Sequence, residues 1–430
     1  MAMETAMEST AARPGIAGVI VAATIGNVLE WFDFLVFGFF AVYISEVFFP
    51  ANDPNVSLLI TWGTFGLSYL ARPLGAIVVG TYTDRAGRKA GLTLSIGLML
   101  IGTLLMLITP GYVTIGFAAP IIIMFARILQ GFSVGGEFGS AVAFLVEHAG
   151  ARKGYVAGWQ WASIGVVSIV ASLFGYTLTT LLTHQQLVDG GWRIPYVFGL
   201  LIGPVGLYIR ARMSETPEFL AAEKPAAVPI GDLVRRHPES FFLALGAAIV
   251  SNSSYYLLLY IPTYGMTTLH LPANTGFAAT LVGGVILAVF SVVAGYYSDI
   301  IKPRARIMLI TGWGFLLASY PCFWLMDKYP SLATAMFAVG FLNLIKAGYS
   351  GVLPSVLAEQ FPVETRAIGM ALAFSISVTI FGGFAPFFAT WLIAKTGDPL
   401  SPSYYLMATA FMSVVALMII ERRSKLRDGR

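Results

Sequence analysis

Twelve long apolar segments constrain the fold of this 430-residue chain more than any other feature. Each has at least about the 20 residues that a helix needs to cross a hydrocarbon layer about 30 Å thick. The segments are 16–46, 57–81, 90–109, 115–141, 155–183, 194–212, 240–265, 274–298, 306–326, 331–357, 366–394 and 402–421. Their apolar residues run continuously instead of alternating with polar ones, which argues against the strands of a membrane barrel. The sequence therefore predicts an all-α integral membrane protein with 12 transmembrane helices.

The chain carries too few charges to solvate the surface of a soluble fold. Charged residues make up 11% and hydrophobic residues 57%, with a mean hydropathy of +0.78. Soluble domains carry about 25% charged residues, so a soluble protein is excluded. The first apolar segment is too long, and too polar near its middle, for a cleaved signal peptide, which predicts a retained helix. The one cysteine, Cys322, excludes an intrachain disulfide.

The distribution of lysine and arginine predicts the orientation in the membrane. With the N-terminus placed on the cytoplasmic side, 20 of the 26 basic residues fall in cytoplasmic loops and tails. Three fall on the opposite side, and the last three, Arg72, Arg127 and Lys346, lie inside predicted helices. This positive-inside bias predicts that both termini are cytoplasmic. It also explains the pI of about 9.0 without a nucleic-acid partner.

A polar interval and a weak repeat divide the chain into two halves. The division predicts an N-terminal six-helix bundle over 1–213, a cytoplasmic linker over 214–238 and a C-terminal six-helix bundle over 239–430. Gly80-Thr-Tyr-Thr-Asp84 recurs as Gly295-Tyr-Tyr-Ser-Asp299 at the same place in the second half. Two pseudo-symmetric halves predict a central cavity and alternating access.

The loop after the second segment has the most specific motif. Gly80-x-x-x-Asp84-Arg85-x-Gly87-Arg88-Lys89 resembles the signature loop of the major facilitator superfamily (MFS), and Arg127-x-x-Gln130-Gly131-x-x-x-Gly135 is a second such sign. The resemblance implies the MFS fold. It also implies a conformational latch that closes the cytoplasmic side, formed by Gly80, Asp84, Arg85, Gly87 and Arg88 and braced by Arg72. The alternative is an ordinary basic turn.

Further runs are similar to the metabolite–proton symporter family, and within it to bacterial citrate and tricarballylate symporters. They include Gly26-Asn27-x-x-Glu30-Trp31-Phe32-Asp33-Phe34, Arg72-Pro73-x-Gly75, Gln130-Gly131-Phe132-Ser133-x-Gly135-Gly136-Glu137 and Trp192-Arg193-Ile194-Pro195. The resemblance implies proton-coupled import of a di- or tricarboxylate such as citrate across a bacterial inner membrane. The alternatives are a symporter for another organic acid or a zwitterionic osmolyte, a sodium-coupled carboxylate carrier, and a membrane sensor without transport.

Six ionisable residues lie inside predicted helices, where each costs a few kcal/mol. They are Glu30, Asp33, Arg72, Arg127, Glu137 and Lys346. Glu30 and Asp33, at i and i+3, project to neighbouring positions, and two carboxylates so close in a poorly hydrated cavity do not both ionise readily. The pair is therefore predicted to carry the coupling proton, with Glu137 as a further candidate. The alternative is a permanent ion pair with Arg127 or Arg72.

The buried cations are the predicted substrate ligands. Arg127 offers a planar fork that matches a carboxylate, and Lys346 supplies a second-half cation at a position that is not charged in the citrate-carrier pattern. Both could instead form structural pairs. The polar residues expected to complete the site are Asn27, Gln160, Asn252, Tyr255 and Tyr349.

No catalytic, metal or phosphate motif appears in the sequence. We therefore expect a transporter rather than an enzyme, without metal or cofactor. The coupling ion is predicted to be a proton, with sodium as the alternative. The expected partners are a small organic anion and the lipid bilayer, with a monomer as the functional unit.

Overall fold

The computed structural model describes residues 28, 31–86, 88–135, 149, 152–211, 238–362 and 365–428. Within these ranges the regular structure is helical and contains no strand. The helices are numbered here by the apolar segment to which they belong.

The first half of the described chain contributes six helices and three short ones. Helix α1 consists of two segments, Trp31–Phe39 and Ala41–Phe48, that meet at an angle of 73°. The others are α2 (Pro54–Ala86), α3 (Arg88–Ile108), α4 (Ala118–Ser133), α5 (Lys153–Leu181) and α6 (Ile194–Ala211), with short helices Tyr112–Ile115, His184–Asp189 and Gly191–Arg193.

The second half contains three interrupted helices. Helix α7 (Pro238–Leu259) continues as Ile261–Thr267, and α10 (Leu332–Ser350) is followed by Leu353–Gln360. Helix α11 consists of Arg366–Ser377, a π-helical turn Val378–Gly383 and Ala385–Thr396. The uninterrupted helices are α8 (Ala273–Ile300), α9 (Ala305–Lys328) and α12 (Ser401–Asp428).

Every predicted apolar segment overlaps one of these helices. Within the described residues, seven helices are long and apolar enough to span a membrane, and α1 makes eight if its bent segments form one span. The all-α membrane fold is therefore confirmed. The boundaries of the two bundles stay a prediction, and residues 214–237 of the linker lie outside the described ranges.

Glycines allow helices of the two halves to approach closely at two places. In α5, Gly158 packs against the Ser291 carbonyl of α8, and Gly165 packs against Ala288. Helix α2 meets α11 where Gly66 lies under the Phe384 ring. Because glycine has no Cβ, the helices approach closely at these points.

The glycines of the α4 motif serve the packing of α4 against α2. Gly131 faces the Ser68 carbonyl so closely that a Cβ has no room, and Gly75 of α2 faces the Phe132 carbonyl in the same way. Arg127 lies one turn before Gly131 in α4, so this contact also sets the position of Arg127 along α2.

Replacing Gly131 by Ala should therefore destabilise the protein. The added Cβ meets the Ser68 carbonyl, and overpacking of this kind costs about 1–3 kcal/mol. Thermal unfolding of the purified protein in detergent measures the effect. Gly97→Ala in α3 is the matched control, because nothing lies within 4 Å of a Cβ there. Alanine favours a helix over glycine, so this variant should keep or raise the melting temperature. Equal melting temperatures for both variants would contradict the packing account.

Candidate functional site

Arg127 is fully buried in α4 and surrounded by aromatic rings. Its Nη1 donates a hydrogen bond to Gln130 Oε1 over 2.7 Å, and Nη2 donates to Ser68 Oγ over 3.4 Å. The guanidinium carbon lies 4.6 Å from the centroid of the Phe34 ring and 4.4 Å from that of Phe37. No carboxylate in the described ranges forms an ion pair with it. The charge is stabilised there by uncharged partners.

Arg72 lies in the same aromatic interior, contributed by α2. Its guanidinium carbon is 4.2 Å from the Tyr69 ring, 5.0 Å from the Phe34 ring and 5.2 Å from the Trp31 ring. Its Nε and Nη2 have no hydrogen-bond partner among the described residues. The Phe34 ring is thus shared by Arg72 and Arg127. This position adds Arg72 to the candidate site, while its predicted bracing of the latch stays a prediction.

Lys346 is the cation of the second half. Its Nζ donates to the Ser251 carbonyl over 2.8 Å and lies 3.4 Å from the hydroxyls of both Ser254 and Ser350. Nζ also stands 4.3 Å from the centroid of the Trp161 ring, which belongs to α5 of the first half. The side chain is fully buried, and in the part of the chain that the structure describes no carboxylate pairs with it.

Aromatic rings connect the cations across the interface between the halves. The Tyr255 ring of α7 lies 5.3 Å from Lys346 Nζ, 6.0 Å from the Trp161 ring and 5.7 Å from the Trp31 ring. Trp31 in turn contacts Arg72. The rings of Trp31 and Tyr255 therefore lie between Arg72 and Lys346. The Phe34 ring lies between Arg72 and Arg127. We call Arg72, Arg127 and Lys346, together with the rings of Trp31, Phe34, Tyr69, Trp161 and Tyr255, the cation cluster.

Asp33 is the acidic group beside the cation cluster. Its Oδ2 accepts a hydrogen bond from the Thr103 hydroxyl of α3. Its Oδ1 has no hydrogen-bond partner among the described residues and faces Gly199 of α6. The carboxylate forms no direct ion pair with a described arginine, so the predicted alternative of a permanent pair does not apply to Asp33 in this structure.

The other predicted binding residues are placed differently. Asn252 Nδ2 donates to Ser377 Oγ over 3.1 Å within the second half, and Gln160 is buried next to Trp161 in α5. The Tyr349 hydroxyl donates to the Ala247 carbonyl over 2.6 Å, and its ring packs on Phe315. The structure therefore does not bring Tyr349 to the cation cluster. Asn27, Glu30, Gly87 and Glu137 lie outside the described residues.

Sequence reasoning missed several members of the cation cluster. Trp31, Phe34, Tyr69 and Trp161 supply its rings, and Thr103 binds Asp33. The run Trp31-Phe32-Asp33-Phe34 was a signal for two of them, since its aromatic residues flank a buried acid. Thr103 left no signal, because a single threonine in an apolar helix is ordinary.

A separate cavity lies away from the cation cluster. It has a volume of about 320 Å³ and is lined by Val42, Tyr43, Thr179, Leu182, His184, Leu187, Met266, Thr267 and Ala273. His184 at its rim lies 2.9 Å from Glu46, and both side chains are about half exposed. In the described residues, the centroids of aromatic rings lie 4.2 to 5.3 Å from the charged groups of Arg72, Arg127 and Lys346.

The repeat of the signature loop forms a bond between the two halves. Asp299 accepts hydrogen bonds from the backbone N–H groups of Gly154 (2.8 Å) and Tyr155 (2.9 Å) in the first turn of α5, and from Arg304 over 2.8 Å. Arg304 also pairs with Glu359. A carboxylate at a helix N-terminus accepts hydrogen bonds from the free N–H groups and interacts favourably with the positive end of the helix dipole. In the first-half loop, the backbone of Gly80, Asp84 and Arg85 belongs to α2 and that of Arg88 to α3, but the side chains are outside the described set.

Replacing Asp299 by Asn should loosen this end of α5. Hydrogen bonds to charged groups contribute about 1.5–3 kcal/mol each, so the Gly154 and Tyr155 amides should exchange with deuterium at least about tenfold faster. Hydrogen–deuterium exchange with peptide resolution measures this. Asp189→Asn is the control, because Asp189 is exposed and accepts only from Gln185 in the described residues. Unchanged exchange in Asp299→Asn would contradict the capping role.

Similar sequences and structures agree with this architecture. The family model for "Sugar (and other) transporter" matches residues 19–227 and 221–422. A citrate-proton symporter of Salmonella typhi is 37% identical over 95% of this chain and 94% of its own length. A citrate-proton symporter of Klebsiella pneumoniae is 36% identical over 95% and 92%. A proline/betaine transporter of Salmonella typhimurium is 33% identical over 92% and 81%.

Solved structures show the same fold at low sequence identity. The crystal structure of a D-xylose-proton symporter superimposes with a TM-score of 0.75 and 18% identity, covering 94% of this chain and 96% of that one. An MFS xylose symporter bound to a bromo-deoxyglucose superimposes with a TM-score of 0.74 and 16% identity, covering 94% of each chain. Since the family model spans nearly the whole sequence and relatives are 37% and 36% identical, the chain belongs to the sugar (and other) transporter family of the major facilitator superfamily.

Proposed function

We propose that this transporter is a proton-coupled symporter that imports an organic anion with two or more carboxylates, such as citrate. The observation that carries the proposal is the cation cluster, in which both halves contribute a buried positive charge. Among the described residues these charges have hydrogen-bond and ring partners but no acidic one. A polycarboxylate supplies the missing negative charges from between the halves.

The chemistry of the three cations suits such a ligand. Arginine binds a carboxylate through two parallel hydrogen bonds, whereas lysine acts as a compact point charge. Cation–π contacts contribute about 2 kcal/mol when desolvated, which is less than the cost of burying a charge. Ring contacts therefore hold the cations without neutralising them. A substrate carboxylate can replace a ring at Arg72 or Lys346 with a gain in electrostatic energy.

A zwitterionic osmolyte fits less well, although a proline/betaine transporter is among the relatives. Aromatic rings can cage a quaternary ammonium group. Here, however, the rings of Trp31, Tyr69 and Trp161 already face Arg72 or Lys346. A ligand cation in the same place would meet like charges at close range. The arrangement favours a ligand of net negative charge.

Asp33 is the proposed coupling carboxyl. It is 4% exposed, and its Oδ1 accepts no hydrogen bond from a described group, so an added proton removes a charge that is poorly solvated there. Proton and substrate then favour the same conformational change, because each binds one state better than the other. Glu30 and Glu137 remain proposed partners in coupling, together with Asn27, Gln160 and Asn252 in binding.

The proposed cycle moves two bundles, 1–213 and 239–430, joined by the linker 214–238. The contacts that must separate on the proposed outer side include Trp62 against Tyr260 and Gly66 against Phe384. On the proposed cytoplasmic side they include the Asp299 cap of α5. Both termini then lie in the cytoplasm of a bacterial cell, with the protein in the inner membrane as a monomer.

Uptake into proteoliposomes tests the function. Labelled mono-, di- and tricarboxylates, proline and betaine are each offered under an imposed proton gradient, a sodium gradient or neither. We expect accumulation of a di- or tricarboxylate that requires the proton gradient. Accumulation of betaine, dependence on sodium, or substrate binding without any uptake would contradict the proposal in three distinguishable ways.

A further inference from the structure

A chain of hydrogen bonds joins Asp33 to Arg127 through two uncharged side chains. Arg127 Nη1 donates to Gln130 Oε1 over 2.7 Å, and Gln130 Nε2 donates to Thr103 Oγ1 over 3.2 Å. The Thr103 hydroxyl donates to Asp33 Oδ2. All four side chains are at most 4% exposed. Every donor in the chain points from the guanidinium towards the carboxylate, which is the order that an ionised Asp33 favours.

The Thr103 hydroxyl has a second acceptor within reach. The Met99 carbonyl, one turn earlier in α3, lies 3.0 Å from Thr103 Oγ1. A hydroxyl has one hydrogen to donate, so it serves either Asp33 or Met99. Ionised acceptors form stronger hydrogen bonds than neutral ones. An ionised Asp33 therefore takes the hydroxyl hydrogen, and a protonated Asp33 competes for it less well.

Few titratable or hydrogen-bonding groups in the described part of the chain face Asp33. In the described part of the chain, the titratable groups that face it are Arg127 from α4 and Tyr196 from α6. From α3 the facing group is the Thr103 hydroxyl. No described ion pair joins Arg127 to Asp33, so the two charges interact by Coulomb attraction at longer range and by the hydrogen bonds through Gln130 and Thr103. A change in the protonation of Asp33 reaches the arginine by hydrogen bonding along this path.

We propose that Thr103 is a positioning residue that transmits the protonation state of Asp33 through Gln130 to Arg127. This inference rests on the proposed function and deepens it. When Asp33 takes up a proton at Oδ1, the Thr103 hydroxyl turns to the Met99 carbonyl. The ordered chain of donors then no longer ends on an anion, which weakens the hold of Gln130 on Arg127. Arg127 becomes free to bind a substrate carboxylate, so proton binding favours substrate binding.

The proton itself does not travel along this chain. It enters at Asp33 Oδ1 and leaves from the same atom after the conformational change, while the hydroxyl hydrogen of Thr103 only changes acceptor. The relay thus accounts for coupling without placing Asp33 in contact with the substrate.

The test compares Thr103→Val, Thr103→Ser and Thr103→Cys with wild type in proteoliposomes. Valine keeps the shape and removes the hydroxyl, serine keeps the hydroxyl, and cysteine is a poor donor of similar size. The readouts are the pH profile of the substrate affinity and the number of protons taken up per substrate. Thr64→Val is the matched control, because Thr64 is also a buried threonine in a first-half helix but bonds only to the Ile60 carbonyl one turn earlier among the described partners.

We expect the ratio of substrate affinity at low pH to that at high pH to be about tenfold smaller in Thr103→Val than in wild type. This is the change that follows from losing one hydrogen bond to a charged group. The pH dependence of Thr103→Cys should lie between those of wild type and Thr103→Val. Thr103→Ser and Thr64→Val should show the wild-type pH dependence. If wild type couples protons and Thr103→Val keeps that profile, the relay is wrong and the proposed function stands. If all three Thr103 variants lose affinity equally at every pH, the role of Thr103 is structural and the relay is wrong. If wild type takes up substrate without protons, the proposed function fails and the relay falls with it.

Discussion

Replacing Lys346 by Met should weaken the binding of a tricarboxylate far more than that of a monocarboxylate. Lys346 Nζ is fully buried, and its described partners are a carbonyl, two serine hydroxyls and the rings of Trp161 and Tyr255. Truncating one member of a buried charge pair costs about 2–5 kcal/mol, so the affinity for a polyanion should fall by about 100-fold. A monoanion that is bound by the arginines alone loses no such contact. Inhibition constants of unlabelled acids against labelled substrate uptake measure both effects.

The matched control for this variant is Lys395→Met. Lys395 also stands over an indole ring, with Nζ 4.9 Å from the Trp391 centroid, but it is exposed at the end of α11. It should leave both affinities unchanged. An equal loss of affinity for mono- and tricarboxylates in Lys346→Met would mean that Lys346 supports the structure and does not contact the substrate.

Replacing Asp33 by Asn should abolish accumulation driven by a pH gradient and retain substrate exchange. Asparagine preserves the size of the side chain and an acceptor for Thr103 but carries no titratable proton. For one coupled proton, each pH unit of gradient drives about tenfold accumulation, because one pH unit corresponds to about 1.36 kcal/mol. Wild-type accumulation should therefore rise as the outer pH falls, whereas the variant should equilibrate at every pH. Net uptake and counterflow in the same proteoliposomes separate the two activities.

Asp53→Asn serves as the control for the carboxylate change itself. Asp53 is exposed between α1 and α2, where its Oδ1 accepts from the Asn55 backbone N–H over 2.9 Å. This variant should retain wild-type accumulation. If Asp33→Asn accumulates substrate as well as Asp53→Asn does, Asp33 does not carry the coupling proton.

The sequence predicted the helices because each crossing of a membrane requires a local run of apolar residues. It did not predict the 73° bend of α1 or the π-helical turn Val378–Gly383 in α11. Both depend on contacts between helices that are distant in sequence. Within the π-helical turn, Gly382 packs under the Tyr256 ring of α7 and Gly383 under the Tyr69 ring of α2. Such contacts have no local pattern.

The charged part of the candidate site could be predicted for the same reason, since the cost of a buried charge is visible in one segment. Its geometry could not. Tyr349 lies one turn from Lys346 and was expected beside it, but its hydroxyl binds the Ala247 carbonyl and its ring packs on Phe315. The predicted bracing of the latch by Arg72 stays a prediction, but the sequence did not predict that its guanidinium lies among the rings of the cation cluster. The direction of a long side chain depends on which neighbours are present, and the neighbours come from other helices.

The most direct test of the account measures proton entry caused by the substrate alone. Proteoliposomes with a pH-sensitive dye inside and no imposed gradient receive labelled citrate outside, and dye signal and label are followed together. We expect the interior to acidify as citrate enters, with the acidification lost in Asp33→Asn and citrate entry strongly reduced in Lys346→Met. Citrate entry without acidification, or acidification that persists in Asp33→Asn, would contradict proton-coupled symport through the proposed site.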